Sequence, residues 1–128
     1  MIGVKSVFIN KKKFGNIGEE ISSKYLKQIG YEIIERNFCC RQGEIDIIAK
    51  DKNEYVFIEV KTRSSMFFGK PKESVNYYKQ RHILKSTKYY LHIHKLDNCF
   101  IRFDVIEIYF KQNKYKLNHI KNVEIKPL

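Results

Sequence analysis

The stretch GEIDIIAKDKNEYVFIEVKTRSS, Gly43–Ser65, decides how the chain folds. It reads as two strands around a turn, with Gly43 breaking it from the strand before. Its second half, VFIEVKT, is apolar except for Glu59 and Lys61, two residues apart and so on one face of a strand. If Lys52 and Asn53 form a two-residue turn, Asp51 opposes Glu54. The same register sets Asp46 against Glu59 and Glu44 against Lys61, and any even-length loop centred there keeps those pairs. An odd loop or a bulge would shift them. One face of the hairpin then carries Ile45, Ile47, Ala49, Val56, Ile58 and Val60, which is core. The other carries Glu44, Asp46, Glu59 and Lys61, with Ile48 and Phe57 nearer the turn. Those two apolar residues predict that this face too is partly covered, so the acids sit in a cleft.

Around the hairpin, Ile17, Ile21, Tyr25 and Ile29 repeat every four residues and predict a first helix. Asn16 is its expected N-cap, Glu19 follows three residues on, and Gly30 suits the C-terminal stop. YEIIERNFCC is a strand. A second helix is expected from about Ser74 to His94, with Val75, Ile83, Leu84, Thr87, Tyr90 and Leu91 facing inward. CFIRFDVIEIYF is a long strand, and one short strand or edge piece follows it. The order is αβββαβ. A strand–helix–strand passage implies a crossover and a parallel pair. The expected fold is therefore α/β, a mixed central sheet with a helix on each face.

With 128 residues the chain suits one domain, residues 15–128, behind a basic arm, residues 1–14, that ends in KKKF. Hydrophobic content of 43% and aromatic content of 14% argue against disorder. The 25 Lys and Arg against 14 Asp and Glu leave a charge of +11. That charge points to a polyanionic partner, most often nucleic acid; a solubilising surface is the alternative. The first residues lack the pattern of an export signal, and no run approaches the ~20 apolar residues of a membrane span. Cys39, Cys40 and Cys99 are an odd count without a CxxC pair. They are expected to be free, mostly buried thiols of a cytoplasmic protein. The four histidines show no zinc-ligand spacing with them.

Two carboxylates opposed across a hairpin repel each other, and a hard divalent cation turns that cost into binding energy. Mg²⁺, or Mn²⁺, uses one or two carboxylates and keeps the rest of its sphere for water and phosphate. Phosphodiester hydrolysis is the chemistry that follows, with Lys61 orienting the nucleophile or meeting charge in the transition state. The simpler alternative is a Glu44–Lys61 salt bridge with Asp46 and Glu59 in solvent.

GEIDIIA followed by FIEVKTRSS, with twelve residues between Asp46 and Glu59 and one between Glu59 and Lys61, resembles the PD-(D/E)XK nuclease superfamily. Together with GEEISSKYLKQIGY, ERN, FGKPKESV, KQRHIL and RFDVIEI, the chain from about Gly15 to Phe110 looks like the YraN-like family of small bacterial endonuclease-type proteins. That family is similar to archaeal Holliday junction resolvases. The resemblance implies a restriction-endonuclease-like αβββαβ core and a Mg²⁺-dependent endonuclease acting on branched or otherwise structured DNA. It makes Asp46 and Glu59 metal-binding carboxylates and Lys61 the catalytic lysine. Glu19 becomes a third metal-binding acid, although a capping box with Asn16 explains it equally. Glu44 becomes a secondary ligand or the partner of Lys61. Gln80 matches a helical polar residue near the site; a solvated helix face also explains it. Arg36, Arg41, Arg63 and Arg81 are candidate nucleic-acid contacts, each alone readable as a surface charge. Resolving a symmetric junction takes two cuts, which favours a homodimer. Its apolar interface would come from the long fourth strand or the Phe67–Phe68 loop. Ile45 stands where the superfamily's Pro precedes the first acid. The competing function is a non-catalytic module on the same fold that binds nucleic acid or a protein partner; the basic charge and paired tyrosines fit it.

Overall fold

The computed structural model describes residues 11–63 and 77–125, with side chains over 16–63 and 81–125. Within them the order is α1 (Lys11–Gln28), β1 (Glu32–Cys40), β2 (Gly43–Asp51), β3 (Glu54–Arg63), α2 (Tyr77–Ile93), β4 (Phe100–Lys111) and β5 (Lys114–Ile120). The five strands form one sheet in sequence order. Only β3 and β4, joined through α2, run parallel; the other neighbours are antiparallel. This is the expected α/β architecture, a mixed sheet with a helix on each face.

Strand alternation divides the core. Ile47, Ala49, Val56 and Ile58 point to one side with Ile106 and Ile108, where Leu26, Ile21 and Tyr25 of α1 meet them. Ile48 and Phe57 point to the other, where Tyr90 and Leu91 of α2 cover them. The hairpin faces are thus both buried, as Ile48 and Phe57 required. Burying apolar area on both sides at about 25 cal/mol per Å² is what holds the sheet between its helices. Gly18 sets how close α1 comes to the sheet: a Cβ there would lie 2.2 Å from Thr62 Oγ1.

Several expectations need correction. Helix α1 starts at Lys11, so Asn16 lies inside it and cannot be its N-cap. The arm's residues 11–14 belong to that helix; residues 1–10 are outside the described residues. Ile29 is 43% exposed because the helix has already ended, and Leu26 takes the core place instead. The ending itself is as expected. Gly30 adopts φ 99°, and Tyr31 N–H and Gly30 N–H bond back to the carbonyls of Leu26 and Lys27. Helix α2 stops the same way around Lys95, at φ 56°. The thiols are free, but Cys39 is exposed and Cys40 and Cys99 are half-buried, since β1 is an edge strand. Val75 and the Phe67–Phe68 loop lie outside the described residues.

At the end of the sheet near the β2–β3 turn, a polar network ties the layers together. Arg102 reaches Asp51 at 3.0 Å and Asp104 at 3.0 Å, and it also contacts the Tyr31 hydroxyl. His119 bridges Tyr25 at 2.9 Å and Asp104 at 2.8 Å. Burial alone would raise the Asp104 carboxyl. Hydrogen bonds from His119, Arg102 and the Asn122 N–H outweigh that and hold it at about 2. A buried charge so surrounded is paired rather than costly.

Candidate metal centre

The hairpin register is the one read from the sequence, from Asp51–Glu54 back to Ile47–Ile58. There the ladder ends, one residue short of the expected Asp46–Glu59 pair, and the Glu44–Lys61 pair is not formed either. Its cause is a side chain. Val60 N–H, which could have served a ladder bond, donates instead to Asp46 Oδ2 at 2.9 Å. At this end of the ladder a carboxylate takes a backbone donor, and an acidic group gathers beside it.

Three carboxylates converge there. Glu19 of α1 and Glu44 and Asp46 of β2 each offer an oxygen, all within 4.8 Å of one another. Glu19 is buried, Asp46 half-buried and Glu44 exposed. Glu19 Oε1 is shut away from solvent with no hydrogen-bond partner among the described residues. Burial pushes the Asp46 carboxyl up to about 7, against the Val60 N–H, and the charges of Glu19, Glu59 and Glu44 push the same way. Glu19 is raised too, chiefly by burial and further by Glu44, while a hydrogen bond from Asn37 and the Arg36 charge restrain it. An acidic group raised by burial and mutual repulsion in this way has affinity for a divalent cation.

Two of the three, Glu44 and Asp46, line a cleft of about 450 Å³ on the α2 side. Glu44, Asp46 and Glu59 line it with Phe57, Phe103 and Val105 of the sheet, His82 and Ile83 of α2, and Val123 and Ile125 of the C-terminal segment. Glu59 therefore shares the cleft and the electrostatics of Asp46 without belonging to the three-oxygen group. Lys61 stands two residues further along β3, beside Glu107 of β4 in the parallel register. Glu107 is 1% exposed and accepts from Asn118 Nδ2 at 3.1 Å.

The remaining candidates are dispersed. Arg36 is held by Glu20 at 2.8 Å, on the α1 side. Arg41 is exposed in the β1–β2 turn, Arg63 ends β3 and Arg81 is exposed on α2; none of the four lines the cleft. Gln80 lies in α2, but its side chain is outside the described residues. Two residues without an assigned role come to the site instead. His82 Nδ1 lies 2.6 Å from the Gln42 carbonyl. A carbonyl only accepts, so Nδ1 carries the proton and Nε2 is left to face other partners. Gly43, at φ 146°, lets α2 this close: a Cβ would sit 3.2 Å from His82 Cβ. The other is Asn37 of β1, which lies between Arg36 and Phe38, whose β2 partners Ile47 and Ile45 flank Asp46. Neither shows a spacing signal in the sequence, because each acts from a strand or helix remote from the hairpin.

The family model for "Uncharacterised protein family UPF0102" matches residues 18–108, which contain Glu19, Glu44, Asp46, Glu59 and Lys61. The chain belongs to the UPF0102 family. It is similar to a UPF0102 protein of Caldicellulosiruptor saccharolyticus, 48% identical over 116 residues, 89% of this chain and 98% of the relative. A UPF0102 protein of Clostridium perfringens is 53% identical over 113 residues, 87% of this chain and 93% of the relative. One from Alkaliphilus oremlandii is 49% identical over 113 residues, 87% and 97%. UPF0102 membership thus spans near full-length relatives. Among the described residues no helix of this member is long and apolar enough to cross a membrane.

Proposed function

We propose that this UPF0102 protein is a divalent-metal-dependent endonuclease acting on structured DNA, of the PD-(D/E)XK kind that its hairpin resembles. The observation that carries this reading is the convergence of Glu19, Glu44 and Asp46 oxygens within 4.8 Å on a chain of charge +11. An all-carboxylate donor set suits a hard cation, Mg²⁺ or Mn²⁺, and the orphaned Glu19 Oε1 is a ready ligand. Bound there, the metal supplies Lewis acidity and a water of lowered pKa.

The chain's own residues supply the rest. Glu19, Glu44 and Asp46 hold the cation, and Glu59 adds negative charge from across the cleft. Lys61 provides an ammonium that orients the attacking water and meets charge on the phosphate. His82 Nε2 offers a further contact to the DNA backbone from α2. Apolar walls at Phe57, Phe103 and Val105 limit water and strengthen these interactions. Surface Lys and Arg provide affinity independent of base sequence. The reading places the protein with DNA in the cytoplasm, and two copies would cut a symmetric junction.

A cleavage assay tests this. Four-way junction, flap, single-stranded and duplex DNA are incubated with protein and Mg²⁺ or Mn²⁺. A structured substrate should be cut, and Asp46→Ala and Lys61→Ala should each reduce cleavage by at least about 100-fold while retaining binding. If no substrate is cut and both variants bind as wild type does, the non-catalytic binding module is the correct reading.

A further inference from the structure

The cleft beside the acids has a second half that holding a metal does not require. It crosses the sheet from Glu44 and Asp46 on β2, past Glu59 on β3, to Phe103 and Val105 on β4. Glu59 stands next to Val105 in the parallel register, so the change from carboxylate to apolar lining falls between neighbouring strands. Beyond it the floor is Phe103, half-buried, with the Phe57 ring 6.0 Å away between centroids. Ile83 of α2 forms one wall, and Val123 and Ile125 form the other. Two backbone donors fasten that second wall. The chain turns at Asn122, with φ 56°, whose N–H bonds to Asp104 Oδ1 at 3.0 Å. Val123 N–H then bonds to the Phe103 carbonyl at 2.6 Å.

Phosphates are held by Lys, Arg and N–H donors, and an apolar wall offers them nothing. The part of a nucleic acid that suits such a lining is the face of a base, which stacks on aromatic rings. Bases of an intact duplex are already stacked on one another; those of a flap, bulge or branch point are open to a new partner. The size agrees. About 450 Å³ lies within the roughly 300–1,000 Å³ of pockets that hold one small organic molecule, and a double helix does not fit. The span agrees too. β2 and β4 lie two strand spacings apart, roughly 10 Å, which a nucleotide bridges from phosphate to base.

We propose that the apolar end of the cleft receives one unpaired nucleobase, stacked on Phe103 between Ile83 and the segment 123–125, with the phosphate of the same nucleotide at the carboxylate end. This rests on the nuclease reading above and gives it a substrate class: DNA with at least one base out of the stack. Selectivity for structured DNA then comes from the cost of unstacking, which an intact duplex must meet and a flap or bulge has already met.

Two DNA duplexes test this, identical except that one carries a single unpaired 2-aminopurine as a bulge. Affinity is measured by fluorescence anisotropy at one salt concentration, with Ca²⁺ in place of Mg²⁺ to hold cleavage back. The bulged duplex should bind at least about 10-fold more tightly than the paired one, and the protein should shield its 2-aminopurine from acrylamide quenching. Phe103→Leu keeps the apolar volume but loses the ring, and Ile125→Ser alters the wall after the last strand. Each should bring the ratio of the two affinities most of the way to one, with melting curves showing that both variants are folded. If the duplexes bind equally, or if neither folded variant changes the ratio, the base pocket falls while cleavage in Mg²⁺ still decides the nuclease reading. If neither duplex binds and none is cut, both fall.

Discussion

At the scale of single residues, Asp46 shows what the acidic group costs. Its folded pKa of about 7 lies above the ordinary 3.8. Between those values the folded protein holds a proton that the unfolded chain has released. Stability from this group is therefore fully present below about pH 4 and is lost as pH rises through about 7. Asp46→Asn removes the titration but keeps an oxygen for the Val60 N–H. Without metal, the variant should melt higher than wild type at pH 8, by on the order of a few kcal/mol, and the gap should close near pH 4. Melting curves from pH 4 to pH 8 with a chelator present check this; parallel curves would show that Asp46 titrates normally. The acids were legible in the sequence as residues but not as a geometry. A hairpin register with backbone bonds continuing along both strands sets Asp46 opposite Glu59. A carboxylate that captures the Val60 N–H is invisible to that rule, and so is the arrival of Glu19 from another element.

At the scale of elements, the close approach of α1 at Gly18 brings Glu19 to the strands. Gly18→Ala would force its Cβ onto Thr62 Oγ1, and α1 would move outward with the adjacent Glu19. The expected loss is about 1–3 kcal/mol of stability together with weaker metal binding. Removing the obstacle in a Gly18→Ala, Thr62→Ala double variant should recover most of both, as a double-mutant cycle of melting and Mn²⁺ titration would reveal. Element types were readable because composition and periodicity report burial: β3 buries the consecutive β-formers Val56, Phe57 and Ile58, and α2 buries Thr87 and Tyr90 as its pattern implied. Helix starts were harder. Asn16 has the chemistry of a cap but precedes only the apolar part of a helix that begins at Lys11. Composition could not distinguish an exposed first turn from an arm.

At the scale of the whole molecule, the sheet carries a paired polar network at one end and an acidic group at the other. Near the β2–β3 turn, the charges of Arg102, Asp51 and Asp104 are paired, with His119 also bonded to Asp104. At the other end, oxygens of Glu19, Glu44 and Asp46 lie within 4.8 Å of one another, and the Arg36 charge acts on Glu19. A chain with 25 basic residues has ample means to neutralise three carboxylates. Their convergence, beside a cleft that Glu44 and Asp46 line, is the feature on which the nuclease reading of this strongly basic molecule stands. Net charge was legible from composition and forecasts a polyanion. Which carboxylates meet depends on where the β2–β3 ladder ends and on contacts between residues far apart in sequence, which no linear pattern records.

The most direct test is Mn²⁺ titration of the wild-type protein and Asp46→Asn at pH 8, where the wild-type carboxylate is ionised, followed by calorimetry and by the electron paramagnetic resonance of free Mn²⁺. Wild type should bind Mn²⁺ at a saturable site, and Asp46→Asn should bind at least about 10-fold more weakly despite its higher melting temperature. Wild-type protein that leaves Mn²⁺ free, or a variant that binds it equally well, would contradict a metal centre at Glu19, Glu44 and Asp46.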